Sequence, residues 1–364
     1  MKRLNCSNRQ SFIRIALVNI LIILSISMVQ NVSAQENTST GENLRVFEEG
    51  SKYGYKDVEG NIVIPAIYDD ARRFVEGLAA VNIGGKAKSV KTSDGFGFIP
   101  PMYSARILDG KWGFINANGE EIIPCVFEYV EDFNKGLAAV NEGGKTGMDN
   151  SKLTAFGGKW GFVDKEGYYA VSCKYKEVKS FSNGLVAAKL KDKWGFIDEN
   201  DNEIIPFQYT NVGEFHENRA WVKGKKLYAY IDEKGNEITQ FKYDAVKDFS
   251  EGMAAIAYKG KYGFINSEGE EIIPCQYNFV QSFSEGLAVV NIGGKWERFL
   301  NTGYMGFSGG KWGYIDEWGN IAIPLQYEHA TPFKNGTAKV ISEGKEFNID
   351  KAILYTKSLE IPEE

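Results

Sequence analysis

The chain has 364 residues, 43% of them hydrophobic and 25% charged, a balance that excludes wholesale disorder and a polytopic membrane protein. Its formal net charge is −6, and it carries 40 glycines, 13% aromatic residues and two histidines. Abundant Gly and aromatics imply many tight turns between strands, and two histidines leave little material for His-based catalysis or metal binding.

The N-terminus reads as a targeting segment. Lys2, Arg3, Arg9 and Arg14 form a basic region with no acidic residue before Glu36. Residues 15–29 are an apolar run interrupted by Asn19, Ser25 and Ser27, and Val32-Ser33-Ala34 places small residues at a cleavage position. The run is shorter than the about 20 apolar residues that span a bilayer. The expectation is a cleaved Sec-type signal peptide over residues 1–34, a mature start at Gln35 and no membrane insertion after cleavage. Residues 35–43 follow as a short linker. Export implies a periplasmic, cell-surface or extracellular location. Cleavage removes four basic and no acidic residues, so the net charge moves from −6 to −10. That negative charge argues against nucleic acid or an anionic membrane as partner.

From residue 44 the chain repeats itself. Lys52 opens KYGYKDVEGNIVIPAIYDDARRFVEGLAAVNIGGK, and Lys111 opens KWGFINANGEEIIPCVFEYVEDFNKGLAAVNEGGK. The opening aromatic recurs at Tyr53, Trp112, Trp160, Trp194, Tyr228, Tyr262 and Trp312. Three adjacent intervals are 34 residues, and the longer ones contain insertions at 87–110, 146–158 and 296–310. Partial units stand at both ends, so the array runs over residues 44–357, with 358–364 as a tail. A short fixed period indicates stacked or radial repeats.

The pattern K-[WY]-G-[FY]-[IV]-[DN]-x-x-G-x-x-[IV]-I-P, continuing to F-x-x-G-L-A-x-V, resembles the WG (KWG) repeat of many bacterial proteins. The resemblance implies an all-β repeat array with an interaction role. The departures are Ala229 for the motif Gly, Ser172 and Gln240 for the Pro, and Arg219 where Leu is usual.

Within one unit, Trp112 and Phe114 alternate with Gly113 and Ile115, the period of a strand. Asn116-Ala117-Asn118-Gly119 reads as a type I turn with a left-handed exit. Glu121-Ile122-Ile123-Pro124 reads as a second strand stopped by its proline. Tyr243, Val246 and Phe249 are spaced by three, which predicts a helical or 3₁₀ turn. The Phe recurs at 74, 133, 181, 215, 249, 283 and 333 and reads as a core anchor. Three residues later stand Gly77, Gly136, Gly184, Asn218, Gly252, Gly286 and Gly336, the substitution pattern of a left-handed backbone position. A third strand, Leu-Ala-Ala-Val, completes the unit. The expected fold is all-β: about seven to eight three-stranded antiparallel meander repeats in tandem. The short unit favours an open superhelix over a closed propeller-like ring.

Catalytic chemistry is hard to assemble. His216 and His329 occupy different repeat positions, and the recurring Asp164, Asp198, Asp232 and Asp316 share their slot with Asn116 and Asn266, which points to a turn role. Cys125, Cys173 and Cys275 share one position with Ala66, Phe207, Phe241 and Leu325, so they read as core thiols; a Cys125–Cys173 bridge stays open. No cofactor, metal or enzymatic activity is expected. The insertions are aromatic for loops, and their candidate binding residues are Phe96, Phe98, Met102, Tyr103, Phe156, Trp296, Phe299, Tyr304 and Phe307. The alternative is that the insertions fold back as longer hairpins. The function expected is an exported non-enzymatic scaffold that binds another envelope or extracellular protein. A carbohydrate-binding module, with insertion aromatics stacking on a glycan, is the alternative.

Overall fold

The computed structural model describes residues 41–93, 102–149, 152–298 and 305–352. These residues form strands and turns with no α-helix among them. They fall into two compact units, the first made of the described residues up to 92 together with 103–174, and the second of those from 175 onward.

The recurring sheet has four antiparallel strands, and it straddles the sequence repeat. One example runs Ala245–Val246, Met253–Tyr258, Lys261–Asn266 and Glu271–Tyr277 in spatial order. The Leu-Ala-type strand of one copy pairs with the KWG-type strand of the next, from Met253↔Asn266 to Tyr258↔Lys261. The expected three-strand meander is therefore present, and a two-residue strand is added at its edge.

That short strand stands where the spacing predicts a helical turn. Ala245 and Val246 pair with Ala257 and Ile256, and Phe249 leads into a hairpin closed by the Ser250↔Met253 bridge. At the hairpin tip Glu251 (φ 55°) and Gly252 (φ 77°) are both left-handed, which a right-handed helix cannot continue. The spacing of three arises because a strand, a bend and a tight turn each return one apolar side chain to the same core. The left-handed assignment holds in all seven copies, Asn218 (φ 66°) included. Six of the seven Phe anchors are buried, and Phe264–Phe283 at 4.8 Å typifies their edge-on packing against the KWG-type strand. Phe181 is the exception, half-buried in the strand Glu177–Ser182.

The proline does not stop its strand. Glu271–Tyr277 runs through Pro274 because the ladder bulges there: Tyr262 pairs with Tyr277 and Phe264 with Ile273, four residues opposing two. Inside the bulge no ladder N–H is required, so proline fits. The bulge presses onto the motif glycine instead. A Cβ on Gly263 would lie 2.3 Å from the Ile273 carbonyl oxygen and 2.7 Å from the Pro274 carbonyl carbon.

One copy breaks this rule and displays the consequence. Where Ala229 replaces the glycine, the sheet of Asn211–Val212, Arg219–Lys223 and Tyr228–Asp232 stops at three strands. Only isolated bridges, Tyr228↔Tyr243 and Ile231↔Glu237, remain beyond it. The copy that keeps Gly161 but replaces proline with Ser172 retains its outer strand, Tyr169–Tyr175. The proline is thus dispensable while the glycine is kept, and the copy that loses its outer strand has lost both, with Ala229 and Gln240 in their places.

Successive copies are tied together at the tight turns. The Glu251 carboxylate accepts the N–H groups of Glu285 (2.6 Å) and Gly286 (2.7 Å), and Glu217 accepts those of Glu251 and Gly252 at 2.8 Å each. In the other unit Glu76 accepts from Lys135 (2.6 Å) and Gly136 (2.9 Å) and pairs with Lys165 at 3.1 Å.

Candidate interaction site

The insertions all lengthen the same hairpin of the repeat, between the Leu-Ala-type and KWG-type strands. The first extends Ala79–Ser93 and Met102–Ile115. The second pairs Leu137–Asp149 with Lys152–Asp164, from Asp164↔Leu137 out to Lys152↔Asp149. The third forms a two-stranded sheet of its own, Lys295–Arg298 with Met305–Ser308. They fold back as hairpins, the alternative that the sequence left open.

Each hairpin springs from a neck built by a buried asparagine. Asn82, Asn141 and Asn291 are 0% exposed. Asn141 Oδ1 accepts the Gly144 N–H at 3.1 Å, and its Nδ2 donates to the Gly157 carbonyl at 3.1 Å. Asn291 repeats the clamp with Gly294 (2.9 Å) and Gly309 (3.1 Å). Asn82 Nδ2 donates to Asp109 at 3.2 Å, while its Oδ1 has no hydrogen bond among the described residues. The chains cross too closely for side chains: a Cβ on Gly158 or Gly310 would lie within 2.4 Å of the opposing glycine nitrogen. The copies without insertions have Lys189, Lys223, Ala257 and Ile341 at the asparagine position. Asparagine at this position thus occurs only where a hairpin must be anchored, a signal that is present in the sequence but lies outside the repeat motif.

Of the candidate binding residues, Phe96, Phe98, Phe299 and Tyr304 lie outside the described residues. Met102 and Tyr103 open the strand Met102–Ile115. Phe156, Trp296 and Phe307 are the three whose surroundings are defined. Phe156 lies over Gly147, whose Cβ would come within 2.9 Å of its ring, and is still 50% exposed. Phe307 covers Gly294 in the same manner and packs on the core.

Trp296 stands on this base. It pairs across the hairpin with Phe307, with ring centroids 5.6 Å apart, and it contacts Phe279 at 6.0 Å. Phe307 and Phe279 in turn pack on Trp312, each at 5.6 Å. Trp296 remains 51% exposed. Lys295 and Glu297 alternate to the opposite face of the strand, where they pair at 3.3 Å and Glu297 also accepts the Ser308 hydroxyl. The Ser308 hydrogen bond and then Lys295 hold the Glu297 carboxyl below its usual range. The rings stay supported on one face while the polar network occupies the other.

The remaining polar candidates are structural. Asp198 Oδ1 accepts the N–H groups of Asn200 (2.9 Å) and Asn202 (2.8 Å), and its Oδ2 accepts the Asn202 side chain at 2.8 Å. Asp57, Asp232 and Asp316 do the same in their turns. The three cysteines are unbridged and half-buried, with Sγ 3.7–4.0 Å from the carbonyls of Val81, Val140 and Ile256. His216 lies 3.7 Å from Asp248, and His329 packs beside Trp312 at 5.2 Å.

The sequence profile of the WG containing repeat matches at 53–86, 112–145, 160–194, 194–227, 228–262, 262–296 and 312–345. The chain belongs to the WG-repeat family. No curated protein matches the sequence. Among solved structures, this WG-repeat protein is similar to a eukaryotic initiation factor at a TM-score of 0.44 and 10% identity, covering 85% of this chain and 81% of that one. It is similar to Hsv2p of Kluyveromyces lactis at a TM-score of 0.35 and 8% identity, covering 73% and 86%. A further likeness is to the AfRom2 CNH domain, at a TM-score of 0.26 and 10% identity, covering 71% and 97%. Likeness at this level carries no functional argument.

Proposed function

We propose that this WG-repeat protein is an exported, non-enzymatic scaffold that binds another protein through its clamped insertion hairpins. The observation that carries this reading is Trp296: a half-exposed indole held in place by Phe307, Phe279 and Trp312. A ring fixed before binding loses little side-chain entropy on contact, which is how interface anchors concentrate affinity. The glycan alternative is the weaker one. A sugar stacked on Trp296 needs polar groups beside the ring, and its strand neighbours Lys295 and Glu297 alternate to the other face, which leaves Lys247, over the adjoining Phe279 ring at 5.3 Å, as the nearby charge.

The signal-peptide pattern of residues 1–34 supports export, and the partner is accordingly an envelope or extracellular protein. N-terminal sequencing of the mature protein is expected to begin at Gln35. The function is tested by affinity capture of envelope and extracellular proteins from the source cell, with the glycan arm run in parallel. Trp296→Ala and Phe156→Ala are expected to abolish capture of a specific protein while leaving the melting curve in place. Capture unaffected by both substitutions, or glycan binding that depends on Trp296, overturns the proposal.

A further inference from the structure

The irregularities of the repeat are not scattered. Asn218, Arg219, Ala229, Thr239 and Gln240, standing for the usual Gly, Leu, Gly, Ile and Pro, belong to one stretch of chain. Loss of the outer strand there leaves residues 233–240 irregular, and a groove of about 570 Å³ opens beside them. It is lined by Arg219 and Lys234, by Asn218 and Ser267, by Ile238, and by the carboxylates of Asp232, Glu233, Glu237 and Glu268.

Arg219 stands where five other copies have an aliphatic residue, Leu78, Leu137, Leu185, Met253 and Leu287, and one has Thr337. Its guanidinium is fixed rather than loose. Nε donates to the Ser267 carbonyl at 2.6 Å, Nη1 to the Glu217 carbonyl at 2.7 Å, and the group lies over the Phe249 ring at 5.7 Å. Among the described residues, no carboxylate comes within ion-pair distance of it, although four line the same groove. Asp232 is committed to its turn, accepting from Lys234, Asn236 and the Asn236 side chain. Glu268 accepts the Ser267 hydroxyl with one oxygen and retains the other.

We propose that this groove binds a zwitterion of amino-acid or short-peptide size, its carboxylate on Arg219 and its ammonium among Glu233, Glu237 and Glu268. A positioned guanidinium with unused N–H groups is matched to a carboxylate, which it engages in a planar fork. A simple anion would meet four carboxylates, and a simple cation would meet Arg219 and Lys234. A molecule with both charges satisfies both ends, and the gap between Arg219 and the carboxylates is where its backbone lies. The volume falls within the about 300–1,000 Å³ typical of small-ligand sites, while the polar lining favours a polar ligand.

The test is calorimetric titration of the full chain with alanine and with alanyl-alanine, and then with the N-acetylated and the C-amidated dipeptide. Saturable binding of alanine or of alanyl-alanine is expected; which of them binds identifies the source as a free amino acid or a peptide. Capping either end is expected to weaken dipeptide binding by about tenfold or more. Arg219→Leu installs the residue that four other copies use, so it keeps the fold and is expected to abolish binding. Glu233→Gln with Glu237→Gln, at two side chains with no hydrogen bond of their own among the described residues, is a second variant expected to lose affinity. Absence of binding by both probes at millimolar concentration, equal binding of the capped dipeptides, or an affinity unchanged in Arg219→Leu overturns the proposal.

Discussion

Substituting Gly263 by alanine isolates the contact that builds the recurring sheet. The new Cβ would lie 2.3 Å from the Ile273 oxygen, 2.7 Å from the Pro274 carbonyl carbon and 2.8 Å from the Cys275 nitrogen. All three are backbone atoms of the bulge, so no side-chain rotation relieves the clash. The chain has two responses. It can keep the outer strand and absorb overpacking strain of about 1–3 kcal/mol. It can instead release Glu271–Tyr277, as the Ala229 copy has done, exposing Ile273 and Tyr277 at about 1.5–3 kcal/mol for each buried side chain. The easier route sets the outcome, and about 1–3 kcal/mol is expected. For a unit of this size that corresponds to melting about 2–12 °C lower. Hydrogen exchange resolved to the peptide spanning Glu271–Tyr277 distinguishes the routes, with release predicted as loss of protection there. Stability within about 0.5 kcal/mol of the parent, with protection of that peptide unchanged, would refute the role given to the motif glycine.

Asn291→Ala strands the buried Gly294 N–H and removes the donor to the Gly309 carbonyl, and a loss of about 1–3 kcal/mol is expected, read as faster proteolysis of the third hairpin. On acidification, the carboxylates of Asp57, Asp198, Asp232 and Glu76 matter together. The Asn61 side chain leads in lowering Asp57; for Asp198, Asp232 and Glu76 burial pulls upward but is outweighed by Asn202, by Asn236, and by Gly136 with Lys165. Folded values below the unfolded ones of about 3.9 (Asp) and 4.3 (Glu) mean stability that is present above about pH 5 and is lost as pH falls through the folded values. A melting temperature that holds or rises from pH 5 to pH 3 would contradict this. For the thiols, burial foremost and then Glu121 push Cys125 up to about 12, burial and Glu271 push Cys275 to about 11, and burial with Glu142 shifts Cys173 the same way. Disulfide exchange reagents at pH 8 are expected to modify these cysteines slowly in the native protein and all three promptly after unfolding; rapid native modification would argue against the packing described.

The period and the strand order were legible because each copy repeats the same solution, so internal comparison separated required residues from tolerated ones. The left-handed turn position was read from six glycines and Asn218 for that reason. The residues before them, such as Glu76 and Glu251, are equally left-handed but carry no glycine signature, because their side chains are retained to cap the next copy. A spacing of three records only which side chains reach the core, not the path between them, so it predicts a helical turn where the chain forms a short strand, a bend and a tight turn. The proline does not end its strand, because a bulge removes the need for its missing N–H. Trp296 was recognised as a candidate from its insertion alone. What the sequence could not supply was its support, since Phe279 comes from a different strand and meets it only through the fold.

The functional account rests on hairpins that are ordered before any partner arrives. Hydrogen exchange of the free protein at the paired segments beyond the second neck, Gly144 to Met148 against Leu153 to Gly157, tests this directly. Protection comparable to that of the sheet below the neck, lost on Asn141→Ala, is the predicted result. Exchange at the rate of an unstructured chain outward from Gly144 would contradict a preorganised binding hairpin.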